Sequence, residues 1–117
     1  MAVPQISDLV HETSATTGTG NLTVAAVNGR RRISDAFGTG ATQSVFYYFV
    51  SSRDAAEWEY GTGHMSDANT LVRDAVISSS NANAAVSFAA GTKDITNDLP
   101  ANKQTRRGHA FALAQII

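Results

Sequence analysis

Between Ser44 and Gly63 the chain reads SVFYYFVSSRDAAEWEYGTG, and this stretch holds the single tryptophan, all three tyrosines and two of the five phenylalanines. Val45, Tyr47 and Phe49 alternate with Phe46, Tyr48 and Val50, so both faces of this half are apolar, as in a strand with protein on each side. The second half sets Ala56, Trp58 and Tyr60 against Glu57 and Glu59, the pattern of a strand with one buried and one solvated face. Residues 51–55, SSRDA, have the polarity and length of a hairpin loop. Large aromatic side chains bury the most area per residue. Phe46, Tyr48, Trp58 and Tyr60 are therefore the expected core anchors, and the Glu57 and Glu59 carboxylates are expected in water.

The rest of the chain reads as short strands divided by small polar residues. Residues 8–13 (DLVHET) and 21–27 (NLTVAAV) are two expected strands. Asn28-Gly29 is a strong hairpin signal, with residues 30–37 as the return strand and Ile33 and Phe37 inward. Residues 70–78 (TLVRDAVIS) are rich in β-branched side chains and lack helix caps, which favours a strand, bent or in two pieces, over a short helix. Residues 84–88 and 92–96 are the last two. About eight short strands at this spacing predict an all-β fold, a single small antiparallel β-sandwich of jelly-roll type. The module is expected to span residues 1–100, followed by a linker and apolar tail over 101–117. Gly-Thr-Gly occurs at 18–20, 38–40 and 61–63 in unrelated surroundings, which reads as turn chemistry and not as a repeat.

Composition narrows the chemistry. A formal charge of −1 offers no footprint for a nucleic acid, and with no cysteine there is neither a disulfide nor thiol chemistry. The apolar runs fall short of the roughly 18 residues that span a bilayer, and the N-terminus lacks the pattern of a signal peptide. His11, His64 and His109 are far apart in sequence and read as structural or surface side chains. His11-Glu12 does not continue into a zinc-binding helix, because position 15 is Ala15. Glu57 and Glu59 have the separation of a glycosidase pair, but on a short hairpin they read as a solvated face. No cofactor, no metal and no enzymatic activity are expected. The tail residues Phe111, Leu113, Ile116 and Ile117 are too apolar to be left in water. They are candidates for docking, either on their own domain or on a neighbouring subunit.

Five blocks, taken in order, carry a family resemblance: residues 9–20 (LVHETSATTGTG), 46–48 (FYY), 58–63 (WEYGTG), 70–81 (TLVRDAVISSSN) and 86–93 (VSFAAGTK). Together they resemble a β-sandwich module of virion structural proteins in tailed phages and gene transfer agents, found in tail fibres, tail spikes and head spike bases. The resemblance implies a non-enzymatic particle component located in the virion. Such a component acts as an adaptor, decoration or spike-base subunit, and its partners are other virion proteins and copies of itself. A chain of this length is not expected to be a long receptor-binding fibre. A carbohydrate-binding module that contacts a host-surface glycan is the second reading, and a small hydrolase built on Glu57 or Glu59 the third.

Overall fold

The computed structural model describes residues 4–41 and 44–101. Six strands occur in this part of the chain: β1 (His11–Ser14), β2 (Leu22–Ala26), β3 (Phe46–Ser52), β4 (Trp58–Asp67), β5 (Thr70–Ser79) and β6 (Lys93–Thr96). One short helix, α1 (Ile33–Phe37), lies between β2 and β3. The all-β class holds, but the sandwich of eight strands does not. The strands close into one antiparallel barrel in the order β1-β2-β5-β4-β3-β6. Closure comes from β6, which pairs with β1 on one side (His11 opposite Thr96) and with β3 on the other (Phe49 opposite Thr96). A strand with neighbours on both sides leaves no edge at which a second sheet could start, so the sheet rolls up.

Two expected strands are missing for local reasons. Gly29 adopts φ 79° while Asn28 does not enter the left-handed region, and the Arg30 N–H donates to the Val27 carbonyl at 3.1 Å. That geometry is a type II turn and not the type I′ turn that returns a hairpin. The chain leaves it to lie beside Val10 and then enters α1. Residues 84–88 contribute only isolated bridges, one of them between Gly18 and Phe88.

The phase of β4 is opposite to the one expected. Glu59, Gly61, Gly63 and Met65 are buried, whereas Trp58 is 43% exposed and Tyr60 is half-buried. Phe46 and Tyr48 lie in the core with Leu22, Ile33, Val50, Met65, Leu71, Phe88 and Ile95. Phe37 of α1 stacks on Phe46 at 4.8 Å between ring centroids, so the helix covers one end of the barrel.

The third Gly-Thr-Gly is not a turn but the middle of β4. A Cβ on Gly61 would lie 2.0 Å from the Ala75 carbonyl oxygen, and one on Gly63 2.4 Å from that of Val72. The β4–β5 ladder shifts register at Tyr60/Gly61 and at Thr62/Gly63. Bulges bend and twist a strand, and here they press the β5 backbone against β4 at the two glycines. Gly61→Ala should therefore destabilise the fold by about 3 kcal/mol or more, since a backbone atom and not a flexible side chain must move. Urea denaturation measures this, and a midpoint equal to that of the parent would refute the close approach.

Candidate functional site

The inward turn of Glu59 explains both the interior and the outer wall. Burial alone would raise its carboxyl pKa, but the Arg73 fork, the Tyr48 hydroxyl and the Val86 N–H outweigh that and hold it below the ordinary value. Tyr48 donates to Oε2 at 2.6 Å and the Val86 N–H to Oε1 at 2.8 Å. Arg73 Nε donates to Oε2 at 2.7 Å, and Nη2 makes a close ion pair with Oε1. The remaining guanidinium donors reach the carbonyls of Val86 (2.9 Å), Gly18 (3.3 Å) and Gly20 (3.2 Å). All five donors of the arginine are thus engaged. Burial and the bond to Glu59 push the Tyr48 hydroxyl well above its usual range, so it stays protonated as the donor.

A second cation occupies the same interior. Lys93 is fully buried, donates to the Thr16 carbonyl at 2.9 Å and lies 6.0 Å from the Phe88 ring centroid; the Arg73 guanidinium carbon is 5.2 Å from the same ring. Both cations lie over the Phe88 ring, and their attraction to its π system adds to its burial. Glu12 is the other fully buried carboxylate. It accepts from Arg32 Nη2 at 2.9 Å and from the Ile33 N–H at 2.8 Å, where α1 begins. Arg31 donates to Ser7 Oγ at 2.6 Å. Two consecutive arginines, Arg31 and Arg32, are thus held by bonds within the structure.

With Glu59 fixed inward, strand alternation turns Trp58 and Tyr60 outward. Phe49, opposite Tyr60 on β3, stacks on it at 4.9 Å, and Trp58 stacks on Tyr60 at 6.3 Å. Ile77, 38% exposed, is the extra residue of the β5 bulge beside this row. Phe49, Tyr60, Trp58 and Ile77 form an apolar patch across three strands of the outer wall. Sequence reasoning missed it because it gave Trp58 and Tyr60 to the core. The available signal was Arg73, the one cation of β5, which can serve as counter-ion for a carboxylate turned inward from β4.

The other expected site residues are dispersed. Glu57 precedes β4 and accepts from the Ala89 N–H at 3.0 Å, so it forms no carboxylate pair with the buried Glu59. His11 binds Asp94 at 2.8 Å and His64 binds Asp74 at 2.7 Å. Among the described residues no three metal-ligating side chains converge. His109, Phe111, Leu113, Ile116 and Ile117 lie outside the described residues. No family model, no curated protein and no solved structure matches the chain.

Two measurements follow from this geometry. Arg73→Met leaves Glu59 buried without its counter-ion and should cost about 3–5 kcal/mol. Adding Glu59→Leu should recover part of that loss, and no recovery would mean that the pair is not the source. Asp94 is held at about 2, below its ordinary 3.8, chiefly by the Arg53 fork with help from His11. Its contribution to stability is therefore complete above pH 3.8 and disappears as pH falls through about 2. Asp94→Asn should flatten the stability profile in that window; an unchanged slope would show that the pair is not formed in solution.

Proposed function

We propose that this protein is a non-enzymatic structural subunit of a phage or phage-like particle, an adaptor, decoration or spike-base component acting through protein–protein contacts. The observation that carries the reading is the apolar patch of Phe49, Tyr60, Trp58 and Ile77 on the outer wall. Aromatic side chains held rigidly on a sheet are typical anchors of protein interfaces. The ionisable side chains that stood as catalytic candidates are engaged elsewhere, Glu59 in an internal ion pair and Glu57 on a loop N–H. The particle context rests on the five sequence blocks alone. Copies of the same chain and other virion proteins are the partners this reading implies. The six described strands close into a barrel with no edge strand, so contacts between copies in this reading are made by side chains of the outer wall and not by sheet pairing.

A glycan-binding role is the second reading, favoured by the exposure of Trp58 beside the hydroxyls of Ser51 and Ser80. Sugars stack on open aromatic faces, and here Phe49 and Tyr60 cover one another's faces. The row therefore suits a protein partner better.

Trp58→Ser should change stability by no more than about 1 kcal/mol, as for a surface position, yet prevent incorporation of the protein into purified particles. Mass spectrometry of particles from the source would detect the parent at a stoichiometry set by particle symmetry. Its absence from particles would overturn the reading, and specific glycan-array binding abolished by Trp58→Ser would replace it with the second.

A further inference from the structure

Asn28-Gly29 is the one Asn-Gly pair in the sequence. It lies between the end of β2 at Ala26 and the start of α1, and residues 28–31 are all exposed. The turn is closed by one bond, from the Arg30 N–H to the Val27 carbonyl. Among the described residues, neither the Asn28 side-chain amide nor the Gly29 N–H has a hydrogen-bond partner. A Cβ built on Gly29 would meet no atom within 4 Å, so the space around this peptide is open. The other described asparagines are placed differently. Asn97 donates to the Tyr47 carbonyl at 2.6 Å and Asn81 to that of Ala85 at 3.0 Å. Asn69 accepts from Arg32 at 3.0 Å and Asn83 from the Ser79 N–H at 3.1 Å. Asn21 precedes Leu22, whose side chain is fully buried.

We propose that Asn28 is a site of spontaneous covalent modification, at which the chain converts its own side-chain amide to a carboxylate. The Gly29 nitrogen gives up its proton to water and attacks Asn28 Cγ. The Cγ–Nδ2 bond breaks, the amide group leaves as ammonia, and a five-membered imide closes over the two residues. Water then opens the ring. Cleavage of the bond from the Gly29 nitrogen to Cγ yields aspartate, and cleavage of its bond to the Asn28 main-chain carbonyl carbon yields isoaspartate. The sum is amide plus water to acid plus ammonia, with no redox step and no further reagent. Glycine is the residue that makes the attack accessible, because it puts no side chain beside the nucleophile and leaves the backbone free to approach. The product carboxylate arises two residues from Arg30, the arginine of the triplet whose side chain is not bonded among the described residues. In the isoaspartate the main chain runs through Cβ and is longer by one carbon. Residue 31 is anchored beyond that point, its N–H donating to the Leu9 carbonyl at 2.8 Å and its carbonyl accepting from the His11 N–H at 3.2 Å. The added length is thus taken up in the exposed turn, and an older molecule differs from a new one by a surface charge on the same barrel.

The test is to incubate the full chain in mildly alkaline buffer, folded and in guanidinium chloride, and to follow each asparagine by peptide mass mapping. Replacement of an amide NH2 by OH marks the product, and labelling by an isoaspartyl methyltransferase marks its iso form. In the folded protein Asn28 should convert at least tenfold faster than any other described asparagine, at a rate comparable with that in the denatured chain. Asn28→Gln, which would need a larger ring, should abolish the isoaspartyl label while keeping the parent urea midpoint. The charge variant of the parent, separated by anion exchange, should also unfold at that midpoint. An Asn28 amide that persists in the folded chain but is lost in the denatured one would overturn the proposal, since the turn would then hold the two groups apart. Isoaspartyl label of equal amount in Asn28→Gln would overturn it as well and move the site elsewhere.

Discussion

The ion pair between Glu59 and Arg73 is the constraint on which the rest of this barrel depends. Two charges taken out of water are costly unless every lone pair and proton is matched. Here the carboxylate takes Tyr48, Val86 and the arginine fork, while the arginine spends its other donors on loop carbonyls. One side chain thereby joins β4, β5 and the segments at Gly18, Gly20 and Val86. The pair also sets the parity of β4. Once residue 59 faces inward, 61 and 63 must as well, and only glycine fits there against β5. Residues 58 and 60 must then face outward. The aromatic row on the wall and the charged cluster inside are two results of a single choice of phase.

How much could be read in advance follows from this. The strand positions were legible in alternation and β-branched content: residues 46–50, 58–60, 70–78 and 93–96 are all in strands. Which face of β4 is buried was not. Hydrophobicity places Trp58 and Tyr60 inside and the glutamates outside, and that rule fails when a buried carboxylate has a guanidinium partner 14 residues later in the sequence. Closure was also hidden. The partners of β6 lie far from it in sequence, and periodicity reports faces but not neighbours. Asn28-Gly29 was correctly seen as a turn, but its type depends on the φ of Asn28, which the dipeptide does not fix.

The five blocks that resemble virion modules are also those that build the interior. They contribute Glu12 and the Gly18 carbonyl, Tyr48, Glu59 with its two glycines, Arg73, and finally Val86, Phe88 and Lys93. Those letters of the pattern are scaffold letters, and they bear on how the barrel is held together. The same blocks also contribute outward residues, among them Leu9, Trp58 and Ile77.

The four residues of β6 have a kinetic consequence. Until Lys93–Thr96 takes its place, the other strands form an open sheet whose free edges are β1 and β3, the two strands that β6 joins. Ile95 and Lys93, both fully buried, arrive only with that last segment. The closing contacts span more than 80 residues on one side, His11 to Thr96. Contacts of such separation form slowly, because the entropy of the intervening loop is lost before they are made. During synthesis, the nascent chain therefore carries two unpaired strand edges until nearly the whole domain has been made. In that interval both edges are open to pairing with other chains, a hazard that the closed barrel removes.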